Sequence, residues 1–232
     1  MILVDSYVFK SRITPAIILG FPAVFCFNIL FGLNSAIVPS IIIIVICFII
    51  EQIIRDYGKK AEITLLKEWG GYPTTLLLRH KTRIFDDITL QRYHSFLGTK
   101  VGSSIPDLKT ERQNLAKADK IYNSCIEWLK SNTRDKQKFY LVFQENTNYG
   151  LRRNIYGIKH IALVFQIILS ISFIFFILFS TNNGIKTVYL SIVAFILIID
   201  LFFWGFVVKS KWVKKAAIEY ARQLITSIDK LK

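Results

Sequence analysis

The sequence predicts an all-α integral membrane protein, with four transmembrane helices in a 2+2 arrangement around a mainly helical cytosolic domain. Three observations carry this fold class. Four apolar runs without alternation, Ile13–Leu33, Ile37–Ile54, Ile161–Ser180 and Thr187–Val208, each approach the ~20 residues that a helix needs to cross ~30 Å of hydrocarbon. Between the second and third runs the chain is polar and basic, residues 55–160 holding 20 Lys/Arg against 11 Asp/Glu. The short connectors, by contrast, are almost uncharged: Asn34 and Ser35 in one, and Thr181 to Lys186 in the other with Lys186 as its single charge. Inside lipid the backbone must satisfy its own hydrogen bonds, so runs of this kind are spanning helices rather than strands.

Orientation follows from the cations. The middle segment, the tail 209–232 with 7 Lys/Arg against 2 Asp/Glu, and the N-terminal Lys10 and Arg12 all belong on the cytoplasmic side by the positive-inside rule. Both termini are therefore expected in the cytoplasm of a cell whose inner membrane holds the protein. The first run is too long for a cleavable signal peptide and a second run follows it at once. Cys26 and Cys47 lie in apolar runs and Cys125 in a helical pattern, a usage that implies packing and no disulfide framework. The net charge of +14 suits an anionic partner, and anionic leaflet lipids attract the same charge.

Four segments result: an N-terminal hairpin at 1–55, a basic domain at 56–159, a second hairpin at 160–208 and a tail helix at 209–232. The second span is expected to run on into water, because Ile53, Ile54, Ile63, Leu65 and Leu66 alternate with charged residues at helical spacing. It breaks at Trp69-Gly70-Gly71-Tyr72-Pro73, where two glycines and a proline require a fixed turn. A short helix is predicted from Asp87 to Leu97 with Asp87 as its cap. A longer one is predicted from Thr110 to Ser131, with Thr110 and Gln113 at capping-box spacing and an apolar stripe of Leu115, Ala118, Tyr122, Cys125, Ile126 and Leu129. Phe139–Phe143 reads as a strand or as the start of a helix. In the tail, Val213, Ala217, Tyr220, Leu224, Ile228 and Leu231 form a second stripe, fit either to cover its own domain or leaflet or to serve as a seam between subunits.

The motifs argue against an enzyme. Gly70-Gly71 lacks the Lys and Ser/Thr of a phosphate loop, and no H-E-x-x-H, G-x-S-x-G or paired-Cys spacing occurs. Asp86 and Asp87 with His80 and His94 offer metal ligands, but Arg79, Lys81, Arg83 and Arg92 surround them and repel a cation, and an Asp at a helix start has a capping role. No catalytic residue, metal or cofactor is expected. The denser signal joins cations to stacking and amide side chains: Arg79, His80, Arg83, Arg92 and His94, then Asn148, Arg152, Arg153 and Asn154. Guanidinium forks match phosphate oxygens and aromatic faces match bases, which points to a nucleotide or a short single strand. Arg152, Arg153 and Lys159 also mark the cytosolic end of the third span. Within the membrane, Asp200 stands nine residues before Lys209. A carboxylate there marks a water-filled path or a paired interior charge, and with Asn28 and Gln166 it supplies the polar atoms of a candidate pore lining.

The two pairs of spans around a basic segment, with Trp69-Gly-Gly-Tyr-Pro-Thr-Thr75 and Glu145-Asn-Thr-Asn-Tyr-Gly-Leu-Arg-Arg-Asn154, resemble the four-span membrane effectors of bacterial nucleotide-signalling anti-phage defence. These are the Hailong-type membrane effectors and the effectors that accompany cGAS-like nucleotidyltransferases. The resemblance covers the whole chain as topology and assigns no individual ligand residue. It implies a homo-oligomer that perturbs the bacterial inner membrane, in abortive infection, when the product of a partner nucleotidyltransferase changes. In the Hailong-like case a DNA oligomer holds the effector silent until it is lost; in the cGAS-like case a cyclic nucleotide opens it. A membrane enzyme using His80, His94, Asp87 or Glu145, and a non-conducting scaffold or transporter subunit, remain alternatives of other classes.

Overall fold

A computed structural model describes residues 6–31, 33–82, 84–179 and 187–231, with the backbone alone at positions 6, 31, 33–40, 43, 44, 47 and 48. The described residues form helices joined by short turns. In chain order these are α1 (Ser6–Val8), a π-helical turn Phe9–Ile13, α2 (Thr14–Phe31), α3 (Leu33–Trp69), α4 (Pro73–Leu78), α5 (Asp87–Val101), α6 (Leu108–Gln113) and α7 (Leu115–Asn132). There follow α8 (Tyr140–Gly157), α9 (Lys159–Phe179), α10 (Thr187–Phe202), a second π-helical turn Phe203–Val207, α11 (Ser210–Thr226) and a closing 3₁₀ turn Ser227–Lys230.

Among the described residues three helical stretches are long and apolar enough to cross a membrane: Phe9–Leu30, Lys159–Phe179 and Thr187–Val207. On α9 the apolar side chains Val164, Ile168, Phe175 and Leu178 face outward while Gln166 is buried. Only lipid covers such a surface without cost, so this inverted pattern is that of a membrane-embedded helix. The run Ile37–Ile54 lies within α3, including Asn34 and Ser35 at its start, but part of its side chains, Cys47 among them, falls outside the described residues. Ser180 and the connector Thr181–Lys186 also lie outside them.

The chain divides into two compact units, residues 1–63 with 150–213, and residues 64–149 with 214–232. These cuts differ from the sequence boundaries at 55, 159 and 208. Helices α3, α8 and α11 contribute turns to both units. The first, here the span unit, has a core around Ala16, Ile54, Ile155, Ile158, Ala162, Trp204 and Val208. A Cβ on Gly58 would overlap Asn154 Oδ1, and one on Gly157 would stand 2.6 Å from Gly58 N. Only glycine permits two helix backbones to approach this closely.

The second, the polar unit, begins where α3 stops. Gly70 and Gly71 take φ of 83° and 134°, a region closed to most side chains, and Pro73 opens α4 at its first turn. Helix α5 begins at Asp87 as expected and runs on to Val101, but Asp86, not Asp87, is its cap, the Asp86 carboxylate accepting from Thr89 N at 2.8 Å. The single helix predicted over 110–131 is two helices. Asp107 caps α6 through Thr110 N at 2.8 Å, and Asn114, at φ −145°, caps α7 through Lys117 N at 3.0 Å. The Asn amide offers the backbone a partner that a continuing helix would not use, so the helix restarts there. Helix α8 resolves the reading of 139–143, with Phe139 just before its start.

The stripe of α7 is buried from Ala118 to Leu129, with Leu115 left exposed. Against it lie Leu77, Leu78, Leu97 and, from the tail, Ala221, Leu224, Ile225 and Ile228. Each such Leu or Ile contributes about 1.5–3 kcal/mol by leaving water. From Tyr220 onward the tail stripe thus packs into the core of the polar unit; Leu224 and Ile228 are 0% exposed and cannot form a seam between subunits without unfolding that core.

Candidate functional site

The polar unit carries a surface groove of about 830 Å³ between the outer face of α5 and the loop leading to α6. Asp87, Gln91, His94 and Ser95 come from the helix, Ser103, Ser104, Ile105 and Pro106 from the loop, and His80 from the turn after α4. The loop can double back because Gly102 adopts the left-handed conformation at φ 64°. A second hollow of about 590 Å³ opens beside it, lined by His80, Lys81, Leu108, Glu111, Arg112 and Leu115. His80 and Leu108 face both.

Beneath them lies a buried polar network that fixes the walls. Glu111, 3% exposed, accepts from the Tyr122 hydroxyl at 2.7 Å and from His80 N at 3.1 Å through the same carboxylate oxygen. The His94 ring lies stacked at 5.7 Å from Tyr122 and edge-on to His80 at 5.0 Å. Nε2 of His80 stands 3.0 Å from Pro106 O and Nε2 of His94 stands 2.8 Å from Leu78 O. A carbonyl oxygen only accepts, so both Nε2 atoms carry hydrogen. Burial pushes His94 below its ordinary value and favours the neutral ring. Burial, and then the Glu111 carboxylate, push the Tyr122 phenol strongly upward, so it stays protonated. Cys125 is pushed up to about 11 by burial and behaves as a packing residue.

The other expected ligand residues are engaged elsewhere. Arg79 forks onto Asp119, Nε to Oδ1 at 2.9 Å and a terminal nitrogen to Oδ2 at 2.6 Å. Arg92 pairs with Asp229 at 3.3 Å, and Tyr93 donates to the same carboxylate at 2.8 Å. Asn148 donates to Glu145 at 3.2 Å. Arg83 lies outside the described residues. In the span unit Arg152 donates to Trp212 O at 3.1 Å and lies over its ring. Arg153 pairs with Glu62 at 3.1 Å, and the buried Asn154 donates to Ser11 O at 2.7 Å. The structure thus brings His80 and His94 together, and gives Arg79, Arg92, Asn148, Arg152, Arg153 and Asn154 partners of their own. Lys81 and Arg112 are exposed, and among the described residues neither forms an ion pair. Sequence reasoning missed Arg112, Glu111 and Tyr122 as site residues, since helical period shows burial but not which hollow a side chain borders.

Of the candidate pore-lining residues, Gln166 donates its amide to Asp200 within one chain, whereas Asn28 donates to Val24 O of its own helix at 2.8 Å. Among the described residues no three of His, Cys, Asp and Glu gather as metal ligands. In comparison with known proteins, the chain matches no family model, no curated protein and no solved structure.

Proposed function

We propose that this protein is a membrane effector of bacterial anti-phage defence, controlled by a nucleotide or short DNA oligomer that the polar unit receives. In this reading Ile37–Ile54 is a fourth span, the helices cross the inner membrane in a 2+2 arrangement, and the polar unit faces the cytoplasm. The chain acts as a homo-oligomer that opens a pore or collapses the membrane potential in abortive infection, and a partner nucleotidyltransferase supplies the ligand. The observation that carries the ligand reading is the pair of adjoining hollows with Lys81 and Arg112 on one side and the groove floor of Leu90, Ile105 and Pro106 on the other. Phosphates find cations there, and a base finds apolar walls with the Gln91 amide and the Ser103 hydroxyl for its edges. Arg79, next to His80 in the chain, steadies this wall through its fork onto Asp119.

The test is equilibrium binding of fluorescent single-stranded DNA oligomers and of nucleotides to the full chain in nanodiscs. Binding weakens steeply with salt in proportion to the phosphates neutralised, and Lys81→Glu with Arg112→Glu abolishes it while thermal unfolding stays unchanged. Full affinity in that double variant would overturn the reading.

A further inference from the structure

The span unit holds a cluster of polar atoms on two facing helices. Gln166 and Ser170 stand one turn apart on α9, and Asp200 and Trp204 stand one turn apart where α10 passes into its π-helical turn. Residues four apart share a helix face, and the Gln166 amide donates to Asp200 Oδ2, so the two faces meet. Gln166 and Trp204 are each 0% exposed. Gln166 Oε1 and Ser170 Oγ are buried without a hydrogen-bond partner. The Trp204 indole N–H is likewise buried without a hydrogen-bond partner. Buried polar atoms are nearly always satisfied, and single-turn π bulges concentrate at functional sites.

Charge narrows the occupant. Among the described residues Asp200 takes part in no ion pair, and Lys159, the cation that opens α9, donates to Val208 O at 2.7 Å. A carboxylate at this depth needs a counter-charge. A bound water would satisfy the two oxygens and leave the charge. A proton on Asp200 would remove the charge, but its single O–H would serve only one acceptor. A divalent ion would exchange one net charge in hydrocarbon for another. A monovalent cation neutralises the carboxylate and takes Gln166 Oε1 and Ser170 Oγ as further hard oxygen ligands.

We infer that Asp200, Gln166 and Ser170 form an intramembrane binding site for one dehydrated alkali cation. The site lies inside a single subunit and does not depend on the nucleotide reading of the polar unit. Occupied, it is electrically neutral; emptied, the carboxylate either takes a proton or stands as a bare charge in the membrane, and the site so couples ion concentration to the packing of α9 on α10.

The test uses the full chain in nanodiscs and dicyclohexylcarbodiimide, an apolar reagent that modifies carboxyl groups within membranes. Asp200 is modified, as peptide mass spectrometry locates, and Asp200→Asn removes the label. Sodium, lithium or potassium, titrated against choline at constant ionic strength, slows labelling several-fold. Ser170→Ala, the smallest change in the ligand set, and Gln166→Leu keep the label and lose most of that protection. Labelling that no alkali cation slows, protection that survives both variants, or no label on Asp200 at all would each overturn the site. No nucleotide enters the assay, so its failure and that of the groove are distinguishable.

Discussion

Gly157 on α8 lies directly against Gly58 on α3, so close that a Cβ on Gly157 would stand 2.6 Å from the Gly58 nitrogen. Backbone, unlike a flexible side chain, cannot yield. Gly157→Ala is therefore expected to cost about 3 kcal/mol, the upper range for overpacking, and to lower the thermal midpoint measured in detergent. Gly205→Ala, where a Cβ meets open space, is the control and leaves the midpoint nearly unchanged.

Arg79 and Asp119 meet as a forked pair, 17% and 28% exposed. A double-mutant cycle with Arg79→Ala and Asp119→Ala is expected to give a coupling of about 1–2 kcal/mol, within the range for contacting residues. A coupling near zero would free Arg79 for a ligand.

His94 fixes a pH dependence. Burial holds it below its ordinary value of 6.5, so below that value the unfolded chain binds a proton that the folded state refuses. Stability is full above this window and falls as pH drops through it. The polar unit should thus unfold more easily at about pH 5 than at about pH 7, and His94→Gln should flatten the difference in chemical denaturation.

Leu224 and Ile228 are core residues of the polar unit. Leu224→Asp buries an unpaired charge and is expected to leave 64–149 open to limited proteolysis. A folded unit with altered subunit number would instead mean that the stripe faces another subunit.

The loss of one cap is milder. Asn114→Ala removes the acceptor for Lys117 N and should cost about 1 kcal/mol, read from denaturant midpoints.

The stop at Gly70-Gly71 and the stripe of α7 were legible in the sequence because each rests on local chemistry, positive φ in one case and helical period in the other. The restart at Asn114 was not, because apolar period runs through it and the side chain alone breaks the helix. Nor was the Arg79–Asp119 pair, since nothing at Arg79 marks a carboxylate 40 positions later. The same limit applied to the hollows: His80 and His94 stood out by type, whereas Arg112 borders the second hollow only because α6 packs on α7, where Glu111 accepts from the Tyr122 hydroxyl.

The core of the polar unit draws its first residues from Leu77 and Leu78 and its last from Leu224, Ile225 and Ile228, with the apolar stretches of α9 and α10 synthesised in between. A ribosome making this chain must therefore deliver both of those helices before the tail arrives to close the core. Until then the inward faces of α5 and α7 stay wet, a state prone to aggregation and proteolysis. Completion of the polar unit thus reports that the preceding helices have been made, and a chain cut short before Leu224 is marked for removal by its own open core.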